Sequence, residues 1–322
     1  MMPTAESNGV RQTIQGIIAD ELGRDLTPPV ASLVGELRRR YGDRIAAILF
    51  YGSCLRSPDL DGVFDFYLLS DSHRDFYDSR VLAAANAMLP PNVFFLSADH
   101  EGRPVRAKVA VMSRRQFAGA MRRTALSVSV WARFCQPAIL AYARDADAVK
   151  DVHAALVDAI VTAGFWAARF APERWEAKLL WSSLFRATYD AELRVERADA
   201  RAELVYLADA MRYDALTAPA LIAAGVPFAW DAERRVGTTR ITAKGRRQAH
   251  AAWRRRSLVG KMLTLLRLAK ATFTFEGGVD YICWKIERHS GVAPQISPWQ
   301  KRHPILAGPL FAYRLYRRRA IR

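Results

Sequence analysis

A Gly-Ser pair closes one apolar run and a single carboxylate interrupts the next: Tyr51-Gly52-Ser53 is followed by Phe64-Asp65-Phe66, with eleven residues between Ser53 and Asp65. Glycine at a strand end lets the backbone approach a phosphate closely, because no side chain intervenes. The neighbouring serine adds a hydroxyl donor. An aspartate on an adjacent strand can hold a divalent cation against the same phosphates, the pairing that phosphoryl and nucleotidyl transfer require. Each residue alone also fits an ordinary turn or strand. The spacing joins them, since it leaves room for a short helix between two adjacent strands. Two-metal chemistry asks for a second shared carboxylate. Position 67 is Tyr, so either that group comes from elsewhere, with Asp61, Asp71, Asp99 and Glu101 as nearby candidates, or the site uses its metal differently.

The pattern around these residues predicts the elements that position them. Val30, Leu33, Val34 and Leu37 recur at helical spacing over Pro28–Tyr41. Continuous apolar runs predict buried strands over Ile45–Tyr51 and Val63–Leu69, with further strands over Asn92–Leu96 and Val105–Met112. Helical pattern covers Arg74–Ala87, Arg114–Arg123, Ala125–Ala143 and Ala148–Phe170, and then Trp175–Leu216. Pro219 to Thr242 reads as a small strand-and-turn element, and Arg246–Lys270 as a basic helix. The first half thus mixes strands and helices, and the second is mostly helical.

The chain has 322 residues, enough for one large domain or two ordinary ones, and carries 48 Lys and Arg against 32 Asp and Glu, a net charge of +16. Such a surplus implies polyanionic partners: nucleic acid, anionic lipid or nucleotide phosphates. Cys54, Cys135 and Cys283 are widely spaced, which argues against a disulfide framework or zinc site and for a reducing cytoplasm. The first 25 residues include Glu6, Asp20, Glu21 and Asp25, and lack the features of a signal or transit peptide. The longest apolar stretch, 152–171, carries His153, Asp158 and Arg169, so a spanning helix is not expected. High Ala and Arg usage fits a GC-rich bacterial genome.

The ordered motifs resemble the mitochondrial-type phosphatidate cytidylyltransferases, also called translocator assembly and maintenance proteins, within the polymerase-β-like nucleotidyltransferase superfamily. The resemblance rests on three blocks within residues 45–140: Tyr51-Gly52-Ser53 with Phe64-Asp65-Phe66-Tyr67-Leu68, Lys108-Val109-Ala110-Val111-Met112-Ser113, and Ala132-Arg133-Phe134-Cys135-Gln136-Pro137. Cys54 stands where that family tends to have a further Gly. The resemblance implies an α/β (α+β) nucleotidyltransferase-like domain over 1–168 and a mostly helical second domain over 169–290, with a winged-helix-like element as one option. A basic membrane-contacting tail would follow over 291–322. It implies transfer from CTP to phosphatidic acid, giving CDP-diacylglycerol and pyrophosphate, with Mg²⁺ on Asp65. Tyr51, Gly52 and Ser53 would seat the nucleotide, and Asp65, Lys108 and Arg133 would act on the phosphates.

Two residues keep bland alternatives. Lys108 could snorkel from an edge strand, and Arg133 could pair with a helix-face acid rather than a phosphate. Arg186, Tyr189, Asp190 and Glu192 read first as a packed polar face. Between Arg240 and Lys270 lie ten Lys or Arg and no acid, and 305–322 mixes Leu310, Phe311, Leu315 and Tyr316 with five arginines. Apolar interleaving favours an anionic lipid surface over nucleic acid, hence a cytoplasmic protein peripheral on the inner face of the membrane. The remaining alternatives are a nucleotidyltransferase acting on RNA or another small acceptor, and a non-catalytic basic binding protein.

Overall fold

The computed structural model describes residues 5–56, 62–192, 198–231, 233–234 and 236–274; the expected tail over 291–322, Cys283 and Asp61 lie outside them. It is a mixed α/β structure built on a five-stranded sheet, with a small three-stranded sheet in the second half. Helix α1 (Ala5–Leu22) precedes α2 (Pro28–Tyr41), which a proline starts and Gly42, at φ 50°, stops. Its Val30, Leu33, Val34 and Leu37 are buried, as their 3–4 spacing requires.

Strand β1 (Ala47–Tyr51), the one-turn helix α3 (Ser53–Arg56) and strand β2 (Val63–Ser70) realise the strand–helix–strand spacing around Gly52 and Asp65. Helices α4 (His73–Phe76) and α5 (Arg80–Met88) lead to β3 (Asn92–His100) and β4 (Arg103–Ser113). Then follow α6 (Arg114–Met121), α7 (Trp131–Phe134) and β5 (Ala138–Ala143), giving the order β3-β4-β2-β1-β5. β2 is antiparallel to β1 and parallel to β4. Side chains alternate across the pleat. Phe64, Phe66 and Leu68 therefore join the cluster beneath α2, whereas Tyr67 and Leu69 join the larger cluster on the opposite face.

The helix expected over Ala125–Ala143 is not formed. Only Trp131–Phe134 is helical, and Ala138–Ala143 is an edge strand on β1. Pro137 disfavours helical backbone at Gln136. The open edge of β1 then pairs with a segment whose Ala and Leu would favour helix in isolation. Trp175 likewise lies in a strand rather than a helix.

Helix α8 (Ala146–Phe170) is capped by Asp145, whose side chain accepts from Ala148 N. By length and composition it could cross a membrane, but it is mostly buried as the axis of the core. Strand β6 (Arg174–Glu176), helices α9 (Ala177–Asp190), α10 (Ala198–Ala208) and α11 (Ala210–Ala223), and strands β7 (Phe228–Asp231) and β8 (Val236–Thr239) follow. The small sheet has the order β6-β8-β7, and α12 (Ala243–Thr274) closes the described chain. Gly164 lets α8 and α11 touch, since a Cβ there would lie 2.9 Å from Ala220. The larger buried cluster runs from Ile14 through Trp166 to Trp253, so both halves share one core.

A buried ion pair ties these parts together. Arg212 on α11 donates to both carboxylate oxygens of Glu21 on α1, and its Nη1 donates to the Cys135 carbonyl at 2.9 Å. Both side chains are almost wholly buried. Removing one partner leaves an uncompensated buried charge, which costs about 3–5 kcal/mol. Arg212→Met should lose stability on that order in urea unfolding, while Glu21→Leu with Arg212→Met should recover most of it. Equal stability of Arg212→Met and wild type would mean that the pair does not hold α1 to α11.

Candidate functional site

A cleft of about 480 Å³ opens over the face of the large sheet that α2 does not cover. All six residues singled out from the sequence line it: Tyr51, Gly52, Ser53, Asp65, Lys108 and Arg133. The register explains why. On β2, Asp65 is paired with Tyr51 of β1 on one side and with Lys108 of β4 on the other. Three consecutive strands therefore present Tyr51, Asp65 and Lys108 in one row on one face. β4 lies between β3 and β2, so Lys108 is not on an edge strand.

Gly52 follows β1 with φ 95°, a conformation that glycine adopts without penalty. A Cβ at this position would lie 2.8 Å from Asp65 Oδ2 and 3.3 Å from Asp65 Cβ. The Asp65 side chain thus packs where a side chain at position 52 would stand. Ser53 is exposed beside it at the start of α3.

The floor is aromatic. Tyr51, Tyr67 and Phe134 meet pairwise with centroids 5.1 to 5.5 Å apart, and Phe117 packs against Phe134 at 4.8 Å. This packing docks α7 on the sheet and delivers Arg133. Burial raises the Tyr51 hydroxyl well above its ordinary value, and the Asp65 charge adds to it; burial likewise raises Tyr67. Both phenols stay protonated.

Arg133 forks onto Glu192, with Nη1 3.1 Å from Oε1 and Nη2 3.4 Å from Oε2, and also donates to the Ser129 carbonyl. Burial works against its charge, but Glu192 together with the Tyr51, Tyr67 and Asp65 oxygens outweighs it, so the guanidinium is held protonated. The acid-pairing alternative for Arg133 is therefore realised, with a partner 59 residues away.

Among the described residues five cations, Arg56, Lys108, Arg133, Arg201 and Arg267, line the cleft against two carboxylates, Asp65 and Glu192. Arg56 donates to Gln136 Oε1 at 3.2 Å. From α12, Arg267 donates to the Pro90 carbonyl at 2.8 Å and Lys270 to the Pro91 carbonyl at 3.0 Å, pinning this helix to the turn beside the cleft. Burial, with Arg267 next, pushes Lys270 down to about 8.

The carboxylates proposed as a second ligand are elsewhere. Asp71 is paired with Arg114 and Arg144, Asp99 accepts from Gly102 N in the β3–β4 turn, and Glu101 sits in that turn at φ 54°. Glu192 is the second acid of the cleft instead, joined there by Tyr189, whereas Arg186 lines a different groove. Among the described residues no group of three or more His, Cys, Asp and Glu is gathered. Asp65, Glu192 and the Ser53 hydroxyl are hard oxygen donors. One or two carboxylates completed by substrate phosphates suit Mg²⁺, so the donor set fits that ion.

Gly52→Ala tests this close approach to Asp65. It should cost about 1–2 kcal/mol of stability from the left-handed backbone and also weaken binding of the nucleotide that the motif resemblance implies. Gly102→Ala is the control: its φ is 76°, but nothing lies within 4 Å of a Cβ there, so it should be strained without affecting the cleft. Equal nucleotide affinity in the two folded variants would remove Gly52 from the site.

A scan against protein-family models finds no match to this chain, and a search of curated proteins finds none either.

Proposed function

We propose that the cleft binds a nucleoside triphosphate and that the chain is a nucleotidyltransferase of the polymerase-β-like kind, transferring a cytidylyl group from CTP to phosphatidic acid. One observation carries the reading: Gly52, at φ 95°, brings the turn after β1 so close to Asp65 that a Cβ would lie 2.8 Å from its Oδ2, with Lys108 in register on the next strand, and all three line one cleft with four arginines among its described residues. The identities of base and acceptor come from the motif resemblance.

In this reading Gly52 and Ser53 seat the triphosphate, the serine through its hydroxyl. Lys108 is a point charge against the phosphates. Arg133 already holds a carboxylate in a forked geometry, which a phosphate can replace. Asp65 would hold Mg²⁺, which offsets phosphate charge when bound. A phosphatidate oxygen forms the new bond to the α-phosphorus, the bond from that phosphorus to the α–β bridging oxygen breaks, and pyrophosphate leaves. The attacking oxygen is already ionised, so no general base is needed. That agrees with a cleft whose phenols are held neutral.

The second half supports a lipid acceptor. The helix that lends Thr264 and Arg267 to the cleft exposes Leu258, Met262, Leu265 and Leu266 and contains no acidic residue. Apolar side chains among cations suit an anionic membrane surface. The strand order β6-β8-β7 after α8 supports the winged-helix-like option, a module also used on nucleic acids, with three helices between β6 and β7 where that module has two. Its exposed helical surface, however, carries Leu204, Leu207, Met211 and Ile222. On this reading the protein works in the cytoplasm, peripheral on the inner face of the membrane.

The test is incorporation of radiolabelled CTP with phosphatidic acid vesicles, with RNA, and with no acceptor. Label should enter lipid, and Asp65→Asn should abolish the transfer while the protein stays folded. Label in RNA would move the acceptor assignment, and turnover by the Asn variant would remove Asp65 from the mechanism. Leu265→Glu should reduce co-sedimentation with phosphatidic acid vesicles while CTP affinity is kept. Undiminished sedimentation would detach α12 from the membrane.

A further inference from the structure

Away from the cleft, two guanidiniums lie against one aromatic ring and a third reaches the end of the helix that carries it. Arg169, in the last turn of α8, stands 3.4 Å from the Phe165 centroid, and Arg123, from the α6–α7 connection, stands 5.2 Å from it. Arg246, near the start of α12, donates to the Arg169 carbonyl at 3.4 Å, to the Ala171 carbonyl, and to Thr239 Oγ1 at 3.2 Å. Burial first, and the charges of Arg123 and Arg246 next, push Arg169 down to about 10. No carboxylate is ion-paired with any of the three among the described residues.

The end of α8 accounts for part of this arrangement. Arg169 and Arg246 lie at its negative pole and donate to its last carbonyls. Arg123 does not. Its side chain is exposed, and its guanidinium makes no hydrogen bond among the described residues. Yet its backbone is held in place: Arg256, 7% exposed, donates to the Arg123 carbonyl at 2.9 Å and the Ala125 carbonyl at 3.2 Å. The same guanidinium lies 4.8 Å from the Trp166 centroid. A buried arginine thus keeps another arginine beside Arg169, against their mutual repulsion. An anion between them relieves that repulsion.

We propose that Arg123, Arg169 and Arg246 form a second anion site that takes a phosphate group and is separate from the cleft. Guanidinium donors supplied by three separate elements, α8, α12 and the α6–α7 connection, suit a tetrahedral dianion better than a carboxylate, which offers two oxygens to one fork. On α12 the two sites are about 27 Å apart, from Arg246 to Thr264 at 1.5 Å per residue. A free phosphate and the phosphomonoester headgroup of a lipid share the chemistry. The proposal does not rest on the cleft being a nucleotidyltransferase site.

The experiment is calorimetric titration of inorganic phosphate at low salt into Lys108→Gln protein, in which the cleft is weakened, with and without Arg123→Gln. Arg123 is exposed and its guanidinium makes no hydrogen bond among the described residues, so its replacement leaves the fold intact; Arg169→Gln is the second variant. Each should weaken phosphate binding about tenfold, the loss of one charge-assisted contact. A parallel arm measures co-sedimentation with phosphatidylcholine vesicles containing phosphatidic acid. Arginine-dependent capture of vesicles without arginine-dependent binding of free phosphate identifies a headgroup site, and the reverse identifies a free anion. Affinities unchanged by both substitutions in both arms would overturn the proposal.

Discussion

The candidate site depends on the register of β2. That strand is paired on both sides at once, antiparallel to β1 and parallel to β4, so the position of Asp65 is determined twice. A slip of one residue would turn Asp65 into the cluster beneath α2 and Phe64 or Phe66 into the cleft. Phe64, Phe66 and Leu68 prevent this, because each is almost fully buried on the α2 side. The apolar residues of the strand thereby specify the location of its one charge.

A second layer of constraint comes from α7. Its four residues cannot form a stable helix alone. They are held by Phe134 in the aromatic floor and by Trp131, fully buried against Trp253. Behind them, Arg212 grips the Cys135 carbonyl while paired with Glu21. Arg133 and Gln136 thus reach the cleft from a segment anchored by both ends of the chain's core. Buried ion pairs contribute little net stability compared with apolar packing. The value of this one is geometric: it joins α1, α11 and the end of α7 at one point.

Charge and burial together set what the cleft can accept. Among the described residues two carboxylates sit among five cations, and the tyrosines are kept neutral by burial. Such a site is poor at drawing protons from a substrate and well suited to holding phosphates. Glu192 currently occupies the fork of Arg133, as a phosphate would.

Much of this was legible in the sequence because it is local. Gly52 after an apolar run, a lone Asp in the next run, and the helical spacing of Val30, Leu33, Val34 and Leu37 are one-dimensional patterns with direct physical causes. The strand Ala138–Ala143 was not legible, because nothing in Ala-Ile-Leu-Ala-Tyr-Ala distinguishes a strand from a helix until the free edge of β1 is present. Nor were Arg56, Arg201, Thr264 and Arg267 legible as cleft residues, and Glu192 read as part of a packed polar face. Their types are common on exposed helices, and only the packing of α9, α10 and α12 around the sheet brings them to Asp65. The sequence by itself determined the two strands on either side of Gly52 and where the one carboxylate of β2 falls. The tertiary structure alone decided which charges face it, because those contacts join residues tens to hundreds of positions apart.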